Sequence, residues 1–129
     1  MTPPHFVVIG LGSIGRRHTS NLAALRPDAT FTFVRHGGTD DEITRRYGGR
    51  VVTTVAAALD NPVDLAVLCT PSARHVDALP ELIDRACPLL VEKPVVTEAE
   101  HADRIEERLT SGAPAPRVAA FNLRFLPSL

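Results

Sequence analysis

The sequence predicts an α/β fold: a doubly wound parallel sheet with helices on both faces, three layers in the order αβα. Three observations predict it. Short β-branched runs alternate with stretches of helical periodicity along the whole chain. Five of the six runs are nearly continuous apolar segments, as expected of strands covered on both faces. Strand–helix–strand alternation repeated in this way calls for parallel pairing with right-handed crossovers, and strand order 3-2-1-4-5-6 is the expected arrangement. A chain of 129 residues suits one such domain.

The elements follow in order. Phe6–Ile9 reads as the first strand, and Ile14, His18, Leu22 and Leu25 then recur at helical spacing. Thr30–Val34 is the second strand; Phe31 and Phe33 alternate with Thr30 and Thr32, which predicts one poorer face. Thr39-Asp40-Asp41-Glu42 has the form of a capping box, followed by Ile43 and Tyr47 on one face and Gly48-Gly49 as a stop. Arg50–Val52 is the third strand, with a short helix at Thr54–Leu59 before the Asp60-Asn61-Pro62 turn. Val63–Cys69 is the fourth. Ser72 is placed to cap a helix with Val76, Leu79 and Ile83 inward, and Pro80 predicts a kink there, or two short helices with Pro80 starting the second. Leu89–Val91 is the fifth strand. Thr97-Glu98-Ala99-Glu100, a second capping box, opens a stripe of Ala102, Ile105 and Leu109 that stops at Ser111-Gly112, before the sixth strand at Arg117–Phe121.

Composition narrows the function. A net charge of −1 gives no footprint for nucleic acid. No apolar run reaches membrane-spanning length, and Met1-Thr2-Pro3-Pro4-His5 lacks a basic leader, so a cytoplasmic location is expected. Two cysteines make neither a disulfide framework nor, alone, a zinc site, and no metal is expected.

Gly10-Leu11-Gly12-Ser13-Ile14-Gly15 is a GxGxxG between a strand and a helix, the setting in which that pattern is informative. Gly10 would permit the turn, Gly12 would let a pyrophosphate approach the backbone, and Gly15 would let helix and strand pack closely. Backbone N–H groups at Ser13 and Ile14 would face the anion. Arg16 and Arg17 could flank it, although a solvated helix face suits at least one of them, and His18 reads as a packed, hydrogen-bonded residue. The end of the second strand carries Val34-Arg35-His36 and no carboxylate for the ribose hydroxyls. Arg35, with His36 and Thr39, could instead meet a 2′-phosphate, which leans towards NADP; a plain surface arginine is the alternative. After the fourth strand, Cys69, Thr70, Pro71 and His75 face the cofactor position, with Thr70 as a hydrogen-bonding group and Cys69 as a small buried residue, not a nucleophile. After the fifth, Glu92-Lys93-Pro94 places a charged pair at the cleft end of a buried strand. Of 14 basic residues, Lys93 is the one lysine. Lysine can give up a proton when its surroundings favour it, and arginine cannot.

Gly10–Gly15 with His18, Thr70-Pro71 with His75, Glu92-Lys93-Pro94, and Ala120-Phe121-Asn122-Leu123-Arg124-Phe125 resemble, in order and spacing, the glucose–fructose oxidoreductase / inositol dehydrogenase (Gfo/Idh/MocA) family. The resemblance implies a Rossmann domain binding NAD(P) and hydride transfer between nicotinamide and a polyol, sugar or nucleotide-sugar carbon. It implies Lys93 as the catalytic residue beside the reacting oxygen, often with a cis Lys–Pro bond, and Asn122 as a further cofactor contact. Family members carry a second α/β domain with the substrate pocket and a proton-transferring His, often with an Asp. Residues 1–121 are thus expected to form the NAD(P)-binding domain, and 122–129 to begin the crossover to a second domain absent from this chain. Arg85-Ala86-Cys87-Pro88 departs from the family's more usual Ala-x-x-Gly. Two functional readings remain: part of an oxidoreductase completed by a second domain, or a stand-alone dinucleotide-binding or regulatory module. A third, an S-adenosylmethionine or other adenine-nucleotide binder, is weakened by Glu92-Lys93-Pro94. Phe121, Leu123, Phe125, Leu126 and Leu129 form an apolar end through which a homo-oligomer is expected.

Overall fold

The computed structural model describes residues 2–121 and Pro127. Six parallel strands form one sheet in the order β3-β2-β1-β4-β5-β6, as the sequence predicts. They are β1 (His5–Ile9), β2 (Thr30–Val34), β3 (Arg50–Val52), β4 (Leu65–Leu68), β5 (Leu89–Glu92) and β6 (Arg117–Ala120). The helices are α1 (Ser13–Leu25), α2 (Glu42–Arg46), α3 (Val55–Ala58), α4 (His75–Asp84) and α5 (Ala99–Ser111). The register sets Ile9 beside Val34 on one side and Leu68 on the other, so the chain leaves β1, β2 and β4 at one edge of the sheet.

Alternation along the strands divides the core. Val7, Ile9, Leu68 and Val91 pack under Leu79, Leu82, Ile83 and Ile105 from α4 and α5. Phe6, Val8, Phe31 and Phe33 form the opposite cluster, under Leu22 and Ala23 of α1 and Tyr47 after α2. The rings of Phe31 and Phe33 are stacked, with centroids 5.8 Å apart. Thr32 is buried as well, because His5 on the neighbouring strand brings Nε2 within 2.8 Å of its hydroxyl. The poorer face expected of the second strand is therefore confined to Thr30, which is exposed; at Thr32 a histidine–threonine contact does what an apolar residue would.

Helix ends and faces differ from the sequence reading in four places. In α1 the buried residues are Gly15 and Thr19; of the predicted stripe Leu22 packs on the Phe cluster, Ile14 and His18 are half-buried, and Leu25 is 76% exposed. The face is set by the close approach of Gly15 to the first turn, not by the largest apolar side chains. In α2 the N-cap is Asp41, two residues later than predicted, with Thr44 closing the capping box. In α4 the helix runs unbroken through Pro80; the irregularity falls earlier, as a 3₁₀ turn at Ser72–Arg74, and Ser72 makes no cap bond. In α5 the N-cap is Glu98 and no side-chain cap bond forms, so the second capping box is not realised.

Among the described residues the helices leave one area uncovered: α3, α4 and α5 lie on one face, while α1 and α2 cover the other from β3 to β4. Beside α1, Leu90, Val118 and Ala120 border a hollow of about 480 Å³ closed on its far side by Ile14, His18 and Asn21. No helix among the described residues is long and apolar enough to cross a membrane.

Candidate dinucleotide site

Strand order reverses between β1 and β4, and the loops leaving them diverge over a cleft of about 810 Å³. The glycine loop forms its floor. Gly10 has φ +91°, and a Cβ there would stand 2.9 Å from the Cys69 carbonyl carbon and the Thr70 nitrogen. A Cβ at Gly15 would stand 2.1 Å from the Gly10 oxygen. Both positions demand glycine for the protein's own packing. Gly12 does not: its φ is −71° and a Cβ would meet nothing within 4 Å. It is also the N-cap of α1, with no side-chain cap bond and no acidic residue in the first turn. Unpaired N–H groups of a 13-residue helix therefore look into the cleft over a position where only glycine leaves the backbone bare.

The β4 side adds an orphan. Thr70 lines the cleft, and its hydroxyl oxygen is buried without a hydrogen-bond partner among the described residues. A buried hydroxyl so placed fits a ligand that bonds it. Cys69 is buried beside it; burial, with Glu92 nearby, pushes its thiol up from 9.0 to about 12, which leaves it without nucleophilic character at neutral pH. Pro71 also lines the cleft. His75, expected at the cofactor, stands elsewhere. It is fully buried behind the turn, with Nδ1 and Nε2 each 3.0 Å from a carbonyl oxygen, those of Val95 and Thr70. Both ring nitrogens lie against backbone carbonyls, and the one that carries the proton donates, so His75 stands between the loop after β4 and the loop after β5 and does not line the cleft.

At the β2 end, Arg35, His36 and Thr39 line the cleft, together with Thr53 and Val55, which sequence reasoning missed. Arg35 Nη1 donates to the Thr39 carbonyl at 2.7 Å and pairs with Asp41 Oδ2 at 3.1 Å. Arg16 also pairs with Asp41 Oδ2, and its Nε donates to the Leu11 carbonyl at 3.0 Å. Arg16 therefore braces the glycine loop, while Arg17 projects from the exposed side of α1. The Arg16 hydrogen bond foremost, with Arg35 and the Thr44 N–H helping, holds the Asp41 carboxyl below its ordinary value of 3.8. Asp41 drew attention in the sequence only as part of a capping box; its arginine partners lie 25 and six positions away, beyond any local signal.

At the β5 end, Glu92 and Lys93 both line the cleft. Glu92 Oε1 lies 2.5 Å from His18 Nε2, which links β5 to α1. The Lys93–Pro94 peptide is cis. Lys93 Nζ lies 5.2 Å from the centroid of the Phe121 ring, a cation–π contact at the rim. Gly10, Gly12, Ser13, Ile14, Arg35, His36, Cys69, Thr70, Pro71, Glu92 and Lys93 thus surround one cleft. Gly15 supports it from beneath, and Asn122 lies outside the described residues.

Residues 5–112 match an oxidoreductase family described by its NAD-binding Rossmann fold. The inositol 2-dehydrogenase of Rhizobium meliloti is 28% identical over 124 residues, 95% of this chain and 37% of that protein. The inositol 2-dehydrogenase of Streptomyces avermitilis is 33% identical over 104 residues, 78% of this chain and 30% of that one. Among solved structures, a myo-inositol dehydrogenase from Corynebacterium glutamicum superposes with a TM-score of 0.83 at 26% identity, over 98% of this chain and 38% of that chain. The chain spans about a third of the length of these relatives. The reading as a stand-alone, non-catalytic module draws no support from them.

Proposed function

The chain belongs to the Gfo/Idh/MocA oxidoreductase family, as its NAD-binding Rossmann domain, and on that premise we propose that its cleft seats NAD(P), with a lean towards NADP, for hydride exchange with a polyol, sugar or nucleotide-sugar carbon. The observation that carries the proposal is the bare backbone at Gly12 at an uncapped helix start, in one cleft with a Thr70 hydroxyl that has no hydrogen-bond partner among the described residues. The first-turn N–H groups at Ser13 and Ile14 hold the pyrophosphate, and the Thr70 hydroxyl bonds the cofactor across the cleft. Arg35 and His36 stand where the adenosine ribose would lie; a guanidinium there suits a 2′-phosphate better than a carboxylate would.

The bound dinucleotide supplies the hydride donor or acceptor. Lys93 orients the substrate oxygen and gives or takes its proton. The family resemblance implies that the substrate pocket would be supplied by a second domain. Positioning of substrate is worth about 7–11 kcal/mol of barrier, so Lys93 and cofactor alone fall far short of useful rates.

The test is turnover. The 129-residue chain alone should bind dinucleotide and show no polyol or sugar dehydrogenase activity. Joined to a complementary second domain it should reduce NAD(P)⁺, and Lys93→Ala should abolish that turnover while leaving dinucleotide affinity within about threefold. Robust turnover by the chain alone that survives Lys93→Ala overturns the role given to Lys93.

A further inference from the structure

Asp41 divides its two oxygens between two tasks. Oδ1 accepts from the N–H groups of Ile43 and Thr44, at 3.0 and 3.2 Å, and caps α2. Oδ2 faces the other way and is shared by Arg35, at 3.1 Å, and Arg16. Arg35 lines the cleft; Asp41 and Arg16 stand behind it and do not. Through Arg16, which bonds the Leu11 carbonyl, the same carboxylate is tied to the glycine loop. One negative charge therefore stands 3.1 Å from a terminal nitrogen of the arginine that lines the β2 end of the cleft.

We infer that Asp41 is a positioning residue for cofactor specificity: by holding and partly neutralising Arg35, it restrains the preference of the cleft for a 2′-phosphate. The inference rests on the reading of Arg35 as the group that meets that phosphate. The effect is electrostatic: the Asp41 carboxylate, 3.1 Å from Nη1, offsets the guanidinium charge that would draw a 2′-phosphate to Arg35, and NAD carries no charge there to be affected. The Thr39 carbonyl still holds Nη1 at 2.7 Å once Asp41 is removed, so Arg35 keeps an anchor.

Asp41→Asn separates the two tasks. The amide oxygen can still cap α2, and asparagine caps as well as aspartate does, but the group facing the arginines loses its charge and its second acceptor. NAD⁺ and NADP⁺ are titrated calorimetrically into the parent chain, Asp41→Asn, Arg35→Ala and the double variant. Asp41→Asn should tighten NADP⁺ relative to NAD⁺ by about tenfold, and the gain should shrink at high salt. In the Arg35→Ala background it should fall to within about twofold. Asp41→Ser, another good cap without charge, should repeat the shift if the asparagine variant does not fold. Arg35→Ala lowering the NADP⁺/NAD⁺ preference while Asp41→Asn leaves it unchanged overturns the inference and spares the reading of Arg35. Arg35→Ala weakening both dinucleotides equally overturns that reading, and the inference with it. Equal tightening of both dinucleotides by Asp41→Asn marks a general charge effect and also overturns the inference.

Discussion

Gly12 and Gly15 lie three positions apart in one motif, yet a side chain at each meets different surroundings. At Gly15 the added carbon would stand 2.1 Å from a backbone oxygen that cannot move without shifting the first turn. Gly15→Ala should therefore destabilise the fold by about 1–3 kcal/mol or more, seen as a lower thermal midpoint in circular dichroism. Cys69 makes a separate, pH-dependent prediction. Its folded value of about 12 lies above the ordinary 9.0, so burial favours the neutral thiol. The stability linked to it is fully present below pH 9.0 and is lost as pH rises from there towards about 12. Cys87, also raised by burial, acts in the same direction. Replacing both by alanine should flatten the alkaline limb of a stability-against-pH curve; an unchanged limb would place its origin elsewhere. The residues whose positions were legible in the sequence were those fixed locally: a glycine in a turn, a lysine at a strand end. Asp41 and His75 were missed or misplaced because their partners are distant in sequence and meet only in the fold.

Among the elements, strands were more legible than helix faces and ends. β-Branched runs mark strands covered on both sides, and all six strands lie where those runs fall. A helix face depends on what it packs against, and α1 turns Gly15 and Thr19 inward because the glycine loop lies there. The end of α4 is instructive. Ala86 has φ +51°, and its N–H and that of Cys87 close the helix on the carbonyls of Ile83 and Leu82. The Arg85–Pro88 turn, noted in the sequence as departing from the family's pattern, thus holds a left-handed residue that carries a Cβ. Ala86→Gly should raise stability by about 1 kcal/mol, measured by urea denaturation with an unchanged slope. The contact between α1 and β5 makes a second prediction at this scale. A double-mutant cycle of His18→Ala and Glu92→Gln should give a coupling of about 1 kcal/mol.

For the whole molecule, the uneven cover of the sheet matters most. Val118 is 50% exposed and Phe121 38%, both at the hollow beside α1. Apolar surface of this kind is uncommon on a monomer. The isolated chain should self-associate through this face, and Val118→Asp should shift it towards monomer in sedimentation velocity; a monodisperse parent chain at high concentration would count against it. The central claim, that the cleft over the glycine loop is a dinucleotide site, has a more direct test. NADH is titrated calorimetrically into the parent chain and into Gly12→Val, with circular dichroism as the control for folding. A Cβ at Gly12 meets nothing within 4 Å, and a valine there would occupy the approach to the backbone, so saturable binding should be seen in the parent and lost in a folded Gly12→Val. Equal affinity in the two folded proteins, or no binding by the parent, would contradict the account.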